Sequence, residues 1–187
     1  MPATSPPTST LLDQAGMAAC LERLATEICA ASPDGAPVAL VGVHRRGVPM
    51  ARRIAAALSA RLSKAVPLGT IDVTQYRDDL KTLKVLPKLE GSDITFDVND
   101  AHVVLCDEVL HTGRTIRAAM DELLGYGRPR KVQLAVLVDR GGRELPIQPD
   151  YTGLHHEVDA GQRVTVRFEE VDGRDTVYLE PWITPAE

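Results

Sequence analysis

An α/β domain built on a mostly parallel central sheet is predicted by three observations. Residues 38–43 and 103–106 are short continuous apolar runs and 132–138 is one broken only by Gln133, the signature of strands buried on both faces. Runs with helical spacing alternate with them, and no internal repeat interrupts that order. With 187 residues, 44% of them hydrophobic, the chain can bury one sizeable core but not two large ones. One domain is expected over residues 11–187.

The elements follow in order. Met1 to Thr10 is Pro, Ser and Thr without a charged start or an apolar stretch, which reads as a disordered tail rather than a secretory signal. Met17, Leu21, Leu24 and Ile28 recur at helical spacing and predict a helix over 11–30, ended by Ser32-Pro33-Asp34-Gly35. A buried strand at 38–43 leads through His44-Arg45-Arg46-Gly47 into a second helix, marked by Val48, Ala51, Ile54, Ala55, Leu58 and Leu62. Residues 67–74 read as a strand. The stretch 75–93 mixes charges with weak periodicity, as a mobile functional loop does. The strand at 103–106 places Asp107 and Glu108 where it leaves the sheet, and an amphipathic helix covers 115–124. A strand at 132–138 and an alternating, half-buried strand at 164–168 complete the set.

Composition narrows the function classes. A formal charge of -5 and 4% aromatic residues provide no global attraction to nucleic acid, although Arg128-Pro129-Arg130-Lys131 leaves a local basic surface open. Cys20, Cys29 and Cys106 are odd in number and lack metal-binding spacing, so buried thiols in a reducing cytoplasm are expected. No membrane span is present, and no metal centre built from protein ligands is expected. His155 and His156 are adjacent on a strand and would face opposite ways, against a zinc pair.

The chemistry concentrates at three places. The first is Asp107 to Thr115, where a buried strand, two carboxylates and a Thr112-Gly113-Arg114-Thr115 loop precede a helix. In open α/β sheets ligands bind outside the carboxyl ends of the strands, and a helix start there points backbone N–H groups at an anion. Acids beside a phosphate cradle would repel it unless they address hydroxyls or a divalent cation, so Asp107 and Glu108 are assigned a ribose diol, a Mg2+ shell, or both. The second is His44 to Gly47, which also follows a strand and precedes a helix. Its two arginines suit phosphate oxygens, or else a solvated basic turn. The third is the polar stretch after Asp72, in which Arg77 is the working residue of a loop that closes over the ligand.

The segment around Asp107 resembles the phosphoribosyl pyrophosphate (PRPP) motif of type I phosphoribosyltransferases. Ile71 to Leu80, that motif, and the stretches Gln133 to Gly141 and Arg143 to Ile147 together resemble the pyrimidine operon regulator family, PyrR, over about Leu11 to Tyr178. The resemblance implies the type I phosphoribosyltransferase fold with a flexible loop and a small hood. It also implies Mg2+, homo-oligomers, and UMP made from uracil and PRPP. Regulation would run through attenuation on a pyrimidine-operon leader RNA in response to uridine nucleotides. By residue, it implies catalytic roles for Asp107, Glu108 and Arg77. PRPP contacts fall at Asp107, Glu108, Thr112, Gly113, Arg114 and Thr115, and pyrophosphate contacts at His44, Arg45, Arg46 and Gly47. Tyr151 resembles the base-stacking aromatic, with Thr152 beside it. RNA contacts would come from Arg128, Arg130, Lys131 and Arg143.

Several positions depart from the family pattern. Glu108 replaces the second Asp of the pair, His111 the tyrosine before Thr-Gly, and His44-Arg45 a Lys-Thr pair. Gly142 replaces a histidine after Asp-Arg-Gly, and His155-His156-Glu157 a Pro-Thr-Ser. His111 beside the acids is read as packing rather than as a ligand or base. The face of the first helix that carries basic groups in RNA-binding members here offers Ala18, Ala19, Glu22 and Thr26, with Arg23 retained. Three readings therefore stand at this level: a uracil phosphoribosyltransferase, an RNA attenuation protein with little catalysis, and a transferase for another base such as hypoxanthine.

Overall fold

The structure, a computed structural model, describes residues 9–32, 38–73, 91–159 and 161–182. In chain order its first elements are β1 (Ser9–Leu12), α1 (Gln14–Ala30), β2 (Val38–Val43), α2 (Gly47–Leu62), β3 (Leu68–Ile71) and β4 (His102–Leu110). They are followed by α3 (Arg114–Gly125), β5 (Lys131–Asp139), β6 (Tyr151–His155), β7 (Gln162–Arg167), α4 (Glu169–Asp172) and β8 (Thr176–Pro181). Five strands lie side by side in the order β3-β2-β4-β5-β6, and every neighbouring pair is parallel. β2 and β4 are the central strands, and all six residues of β2 are buried, as a continuous apolar run requires. The remaining strands form an antiparallel sheet ordered β1-β8-β7, the small hood.

The two faces of the main sheet have separate cores. Met17, Leu21, Leu24 and Ile28 of α1 and Met50, Ile54 and Leu58 of α2 fill one face together with Phe168 and Val166 of the hood side. Ile116, Ala119 and Leu123 of α3 fill the other with Val98, Val103 and Val136. The periodic residues that predict the first two helices bury, except Leu62 at the end of α2, which is 45% exposed. α1 starts at Gln14 rather than residue 11, because Asp13 is its N-cap and accepts a hydrogen bond from the Gly16 N–H at 2.8 Å. Ser9 and Thr10, read from sequence as tail, instead open β1 and pair with Leu179 and Tyr178. Their partner strand lies at the far end of the chain, where local pattern reading cannot reach.

Two further boundaries differ. β3 ends at Ile71, three residues short of the expected strand, and Thr70 then bridges to Asp93 through hydrogen bonds of 2.8 and 2.9 Å. β4 runs on to Leu110, with Asp107 opposite Val136 and Leu110 opposite Asp139. Acidic side chains hide this continuation from any apolar pattern, so the carboxylates lie within the strand rather than beyond it. Cys20, Cys29 and Cys106 are free thiols, and burial pushes the Cys106 thiol well above the ordinary range. Among the described residues no helix is long and apolar enough to cross a membrane.

The opposite end of the sheet holds a buried polar network. The His102 Nε2 and the Tyr151 hydroxyl both lie against Gln133 Oε1, at 2.7 and 2.9 Å, and Gln133 Nε2 donates to Asp150 at 2.8 Å. Burial holds the His102 pKa below its ordinary value, opposed by Gln133 and Asp150 and reinforced by Lys131 and Arg130. The unfolded chain takes up a proton near pH ~6.5 that the folded protein refuses, so stability falls as pH drops through that value. Urea midpoints at pH 7.5 and 5.5 measure the effect, and His102→Asn is expected to flatten it. An unchanged slope in the variant would assign the acid sensitivity elsewhere.

Candidate active site

Because β2, β4 and β5 are parallel, the segments that follow them share one edge of the sheet. Asp107 and Glu108 approach that edge from inside, 5% and 8% exposed, and the Asp107 carboxylate accepts the Glu108 N–H at 3.0 Å. Both line a cleft of about 870 Å³ between the sheet edge and the hood. That is room for a sugar phosphate with a base, within the usual range for small-molecule sites.

The turn after β4 leads directly into a helix. Gly113 adopts φ +93° and opens α3, which has no side-chain cap. A helix starting in this way presents its first-turn N–H groups to a bound anion. Thr112 is buried, its hydroxyl accepting the Arg114 N–H at 3.3 Å and its carbonyl accepting the N–H groups of Glu144 and Leu145 at 3.0 Å each. The Arg114 guanidinium pairs with Glu144 at 2.7 Å, so the arginine contributes to the turn through its backbone while its side chain reaches the 144 loop. Thr115 lines the cleft.

The loop after β2 divides its side chains. Arg46 lines the cleft and forks onto Asp172 of α4, at 2.9 and 2.7 Å, holding that carboxyl below its usual range. His44 and Arg45, joined by a cis peptide, instead line a second hollow of about 260 Å³ with Pro49, Arg52 and Glu170. Gly47 is fixed by proximity. A Cβ there would overlap the Cys106 carbonyl oxygen and lie 3.2 Å from Asp107 Cα, so only glycine lets this loop approach the acid pair. The hood is tied to the same helix by Arg53, whose guanidinium pairs with Glu170 and Asp175 at 2.7 Å and lies 5.2 Å over the Phe168 ring.

Other expected site residues lie elsewhere. Tyr151, read as the base-stacking aromatic, is buried with its hydroxyl donated to Gln133. Neither it nor Thr152 lines the cleft, because residue 151 starts its parallel strand and so stands away from the ligand-facing edge. Arg77 falls outside the described residues, as does most of the loop expected at 75–93. Arg128, Arg130 and Lys131 are exposed where the chain enters β5, whereas Arg143 follows the far end of that strand. At about 3.3 Å per residue, β5 alone separates them by roughly 26 Å. The structure does not bring the four together.

Arg143 faces inward rather than toward solvent. Its side chain, 15% exposed, forms a 2.7 Å ion pair with Asp139 and donates to the carbonyls of His111, Ile147 and Gly141 at 3.0, 2.9 and 3.4 Å. It therefore cross-links the end of β5 to the turn after β4. Burial pushes the Asp139 carboxyl up, but Arg143, the Gly141 N–H and His155 outweigh it and leave the group below its ordinary value. Two of the family departures meet here as well. A Cβ on Gly142, itself at φ +73°, would stand 2.8 Å from His111 Nε2, so this imidazole lies against the glycine that replaces a histidine.

The cleft's other wall was not legible as a site. Arg140 follows β5 directly, its N–H donating to the Leu110 carbonyl at 3.1 Å and its Nη2 to the Gln162 carbonyl at 3.2 Å. Its Nε is buried with no hydrogen-bond partner among the described residues, and burial lowers its pKa. Val158, Gln162, Arg163, Arg167 and Trp182 complete that wall. Val158 precedes β7, and only the pairing of β7 with β8 puts the others there.

Comparison with known proteins agrees with this fold. The family described as phosphoribosyl transferase domain matches residues 7–169. A "Bifunctional protein PyrR" from Thermus thermophilus is 46% identical over 169 residues, spanning 90% of this chain and 93% of that protein. One from Akkermansia muciniphila is 46% identical over 177 residues, spanning 94% and 98%. The crystal structure of hypoxanthine phosphoribosyltransferase from Trypanosoma cruzi superposes with a TM-score of 0.68 at 19% identity, covering 93% of this chain and 97% of that one, a likeness of fold. The chain belongs to the phosphoribosyl transferase family and, within it, to the PyrR proteins.

Proposed function

We propose that this protein transfers the 5-phosphoribosyl group of PRPP to N1 of uracil, giving UMP and diphosphate. The observation that carries the reading is the buried Asp107–Glu108 pair beside the Gly113 turn in one cleft. In the reaction the N1–C1 bond forms as the C1–O bond breaks, the electron pair leaves on diphosphate, and the N1 proton passes to solvent. Positive charge grows on the ribose, so two carboxylates on its diol stabilise the transition state more than the ground state. The 112–115 turn would hold the 5-phosphate, and Arg46 with the backbone of 44–47 the diphosphate. Arg140, Val158 and Gln162 are assigned to the base in place of Tyr151 and Thr152.

The donor set suits Mg2+ in one particular way. Among the described residues no group of three or more His, Cys, Asp or Glu can cage an ion. Mg2+ bound through one or two carboxylates, substrate oxygens and water needs no such cage, and Asp107 and Glu108 fit that mode. Bound together with PRPP, the ion would neutralise charge on the departing diphosphate.

The test is PRPP kinetics in Asp107→Asn and Glu108→Gln. Loss of a hydrogen bond to a charged partner costs about 1.5–3 kcal/mol, so PRPP use should weaken by about ten- to hundred-fold with the fold intact. Wild-type PRPP kinetics in both variants would refute the assignment, and competition among uracil, hypoxanthine and guanine would fix the base.

Regulation through a pyrimidine-operon leader RNA is the second activity to weigh, and the surface argues for little of it. Arg23 is engaged, donating to Glu27 at 2.8 Å and to the carbonyls of Thr152 and Gly153 on the edge of β6. With Arg143 also turned inward, Arg128, Arg130 and Lys131 are what remains exposed of the four residues assigned to RNA. Few phosphate contacts give a shallow dependence of binding on salt. Titrating leader RNA and a scrambled control at two salt concentrations should show weak, poorly selective binding. Nanomolar, leader-selective binding strengthened by uridine nucleotides would reverse this conclusion.

A further inference from the structure

Of the two arginines in the loop after β2, Arg46 lines the cleft and Arg45 the second hollow. The carboxylate that holds Arg46, Asp172, belongs to the hood and does not itself line the cleft. Side-chain exposure is 26% for Arg46 but 9% for Asp172, so the arginine keeps a face toward the cleft while its partner is covered. The fork runs through Nε and Nη2, which leaves the Nη1 end of the guanidinium outside that contact. Asp172 is fixed in turn. Its Oδ2 also accepts the Phe168 N–H at 3.0 Å, and its own N–H donates to the Phe168 carbonyl at 2.7 Å. Phe168 is fully buried, with Arg53 over its ring and paired to Glu170 and Asp175, which flank Asp172 in the chain. Arg46 above all, with the Phe168 N–H and Arg167, holds the Asp172 carboxyl below its ordinary range against the opposing effect of burial, so it is ionised at neutral pH.

We propose that Asp172 is a positioning residue for diphosphate, acting from the hood through Arg46, whose guanidinium it fixes at the cleft in the orientation that receives the anion. This rests on the transferase reading, which assigns diphosphate to Arg46 and the backbone of 44–47, and deepens it. A long side chain on a loop gives up rotamer freedom when it binds an anion, and a carboxylate that has already ordered it removes that cost from the binding step. One effect opposes this, because Asp172 offsets part of the charge that attracts diphosphate. Arg167 decides the balance. It is close enough to feel both Asp172 and Arg46 and it also lines the cleft, so two arginines around one covered carboxylate leave net positive charge on this side.

Calorimetric titration of the intact protein with diphosphate and Mg2+ tests the assignment. Asp172→Asn keeps the shape of the side chain and an oxygen for the Phe168 N–H but loses the charge. It should weaken diphosphate binding and raise the KM for PRPP, each by roughly ten-fold, and leave uridine binding unchanged. In an Arg46→Ala background the same substitution should have no further effect, because a residue that acts through another adds nothing once that other is gone. Asp172→Glu keeps the charge and should recover part of the loss. Arg53→Gln, which cuts the other tie between α4 and α2, should leave diphosphate affinity unchanged and so separates positioning from upkeep of the hood. Unchanged or tighter diphosphate binding in Asp172→Asn, an equal loss in Arg53→Gln, or additive losses in the double variant overturns the proposal. UMP synthesis with wild-type diphosphate affinity in Asp172→Asn would remove the positioning role and leave the transferase reading standing; diphosphate binding that depends on Asp172, without UMP synthesis, would do the reverse.

Discussion

Arg143→Ala is expected to cost about 3–5 kcal/mol of stability at neutral pH, the range for breaking one side of a buried ion pair. Both partners are well covered, with 15% and 9% of the Arg143 and Asp139 side chains exposed. Removing the guanidinium strands a buried carboxylate and also orphans the carbonyls of His111, Gly141 and Ile147. The effect should depend on pH in a defined direction. In the wild type the Asp139 carboxyl is depressed, so its contribution is present above the unfolded pKa of ~3.9 and lost only as pH falls through the lower folded value. In the variant, burial acts without Arg143 to oppose it, the carboxyl rises, and protonation relieves the strain at milder acidity. The stability gap between wild type and variant should therefore narrow between pH 7.5 and pH 5. Arg143→Lys keeps the charge but not the fork and should recover part of the loss. A gap that stays constant with pH, or an Arg143→Ala protein as stable as wild type, would show that Asp139 is not held by this contact.

Arg143 also shows where sequence reading stops. An arginine in a loop of a family that binds RNA invites a phosphate partner, and nothing local reveals that a carboxylate four residues earlier and a carbonyl from the preceding βα turn will claim it. What was legible has local causes. Met17, Leu21, Leu24 and Ile28 announce α1 because one helical face must bury, and Val38–Val43 announces β2 because a parallel strand buries both faces. The acid pair and the Gly113 turn were legible because backbone amides and carboxylates have strict requirements in order and spacing. The hood was half legible. β7 alternates and was read as a strand, but β1 is Ser- and Thr-rich and β8 ends Leu179-Glu180-Pro181, so neither shows a period of its own. Tyr151 was misplaced because an aromatic after Pro149-Asp150 looks the same at either end of a strand. Trp182 was missed because its place on the cleft exists only once β8 is paired with β7.

Gly47→Ala should have the largest effect on activity for the smallest change in side chain. The added methyl would meet the Cys106 carbonyl oxygen and crowd Asp107 Cα at 3.2 Å, and both obstacles are backbone of a central strand. β4 cannot yield, since β2 and β5 flank it and Val103 to Cys106 are fully buried. The strain falls instead on the start of α2 and the His44–Arg46 turn before it. Overpacking of this kind costs about 1–3 kcal/mol, and the depth of the overlap puts this case at the upper end. Activity should fall further than stability does. The displaced turn carries Arg46 toward the cleft, and a shift of about 1 Å in a positioning group can cost on the order of 100-fold in rate. A folded Gly47→Ala protein should thus show PRPP-dependent turnover reduced by about two orders of magnitude. Base binding, measured with uridine, should fall less, because the turn meets the hood at Asp172 rather than at Arg140, Val158 or Gln162. Gly113→Ala makes a useful companion: its φ of +93° is strained for alanine, but the nearest atoms to the added Cβ belong to the Ile147 side chain at 3.3 Å and the Leu145 side chain at 3.4 Å rather than to a central strand's backbone. The milder substitution should lower phosphate affinity without the same loss of turnover. Comparable kinetics for Gly47→Ala and wild type would mean that the turn after β2 is not held against the acid pair in solution, and the assignment of diphosphate to residues 44–47 would fall with it.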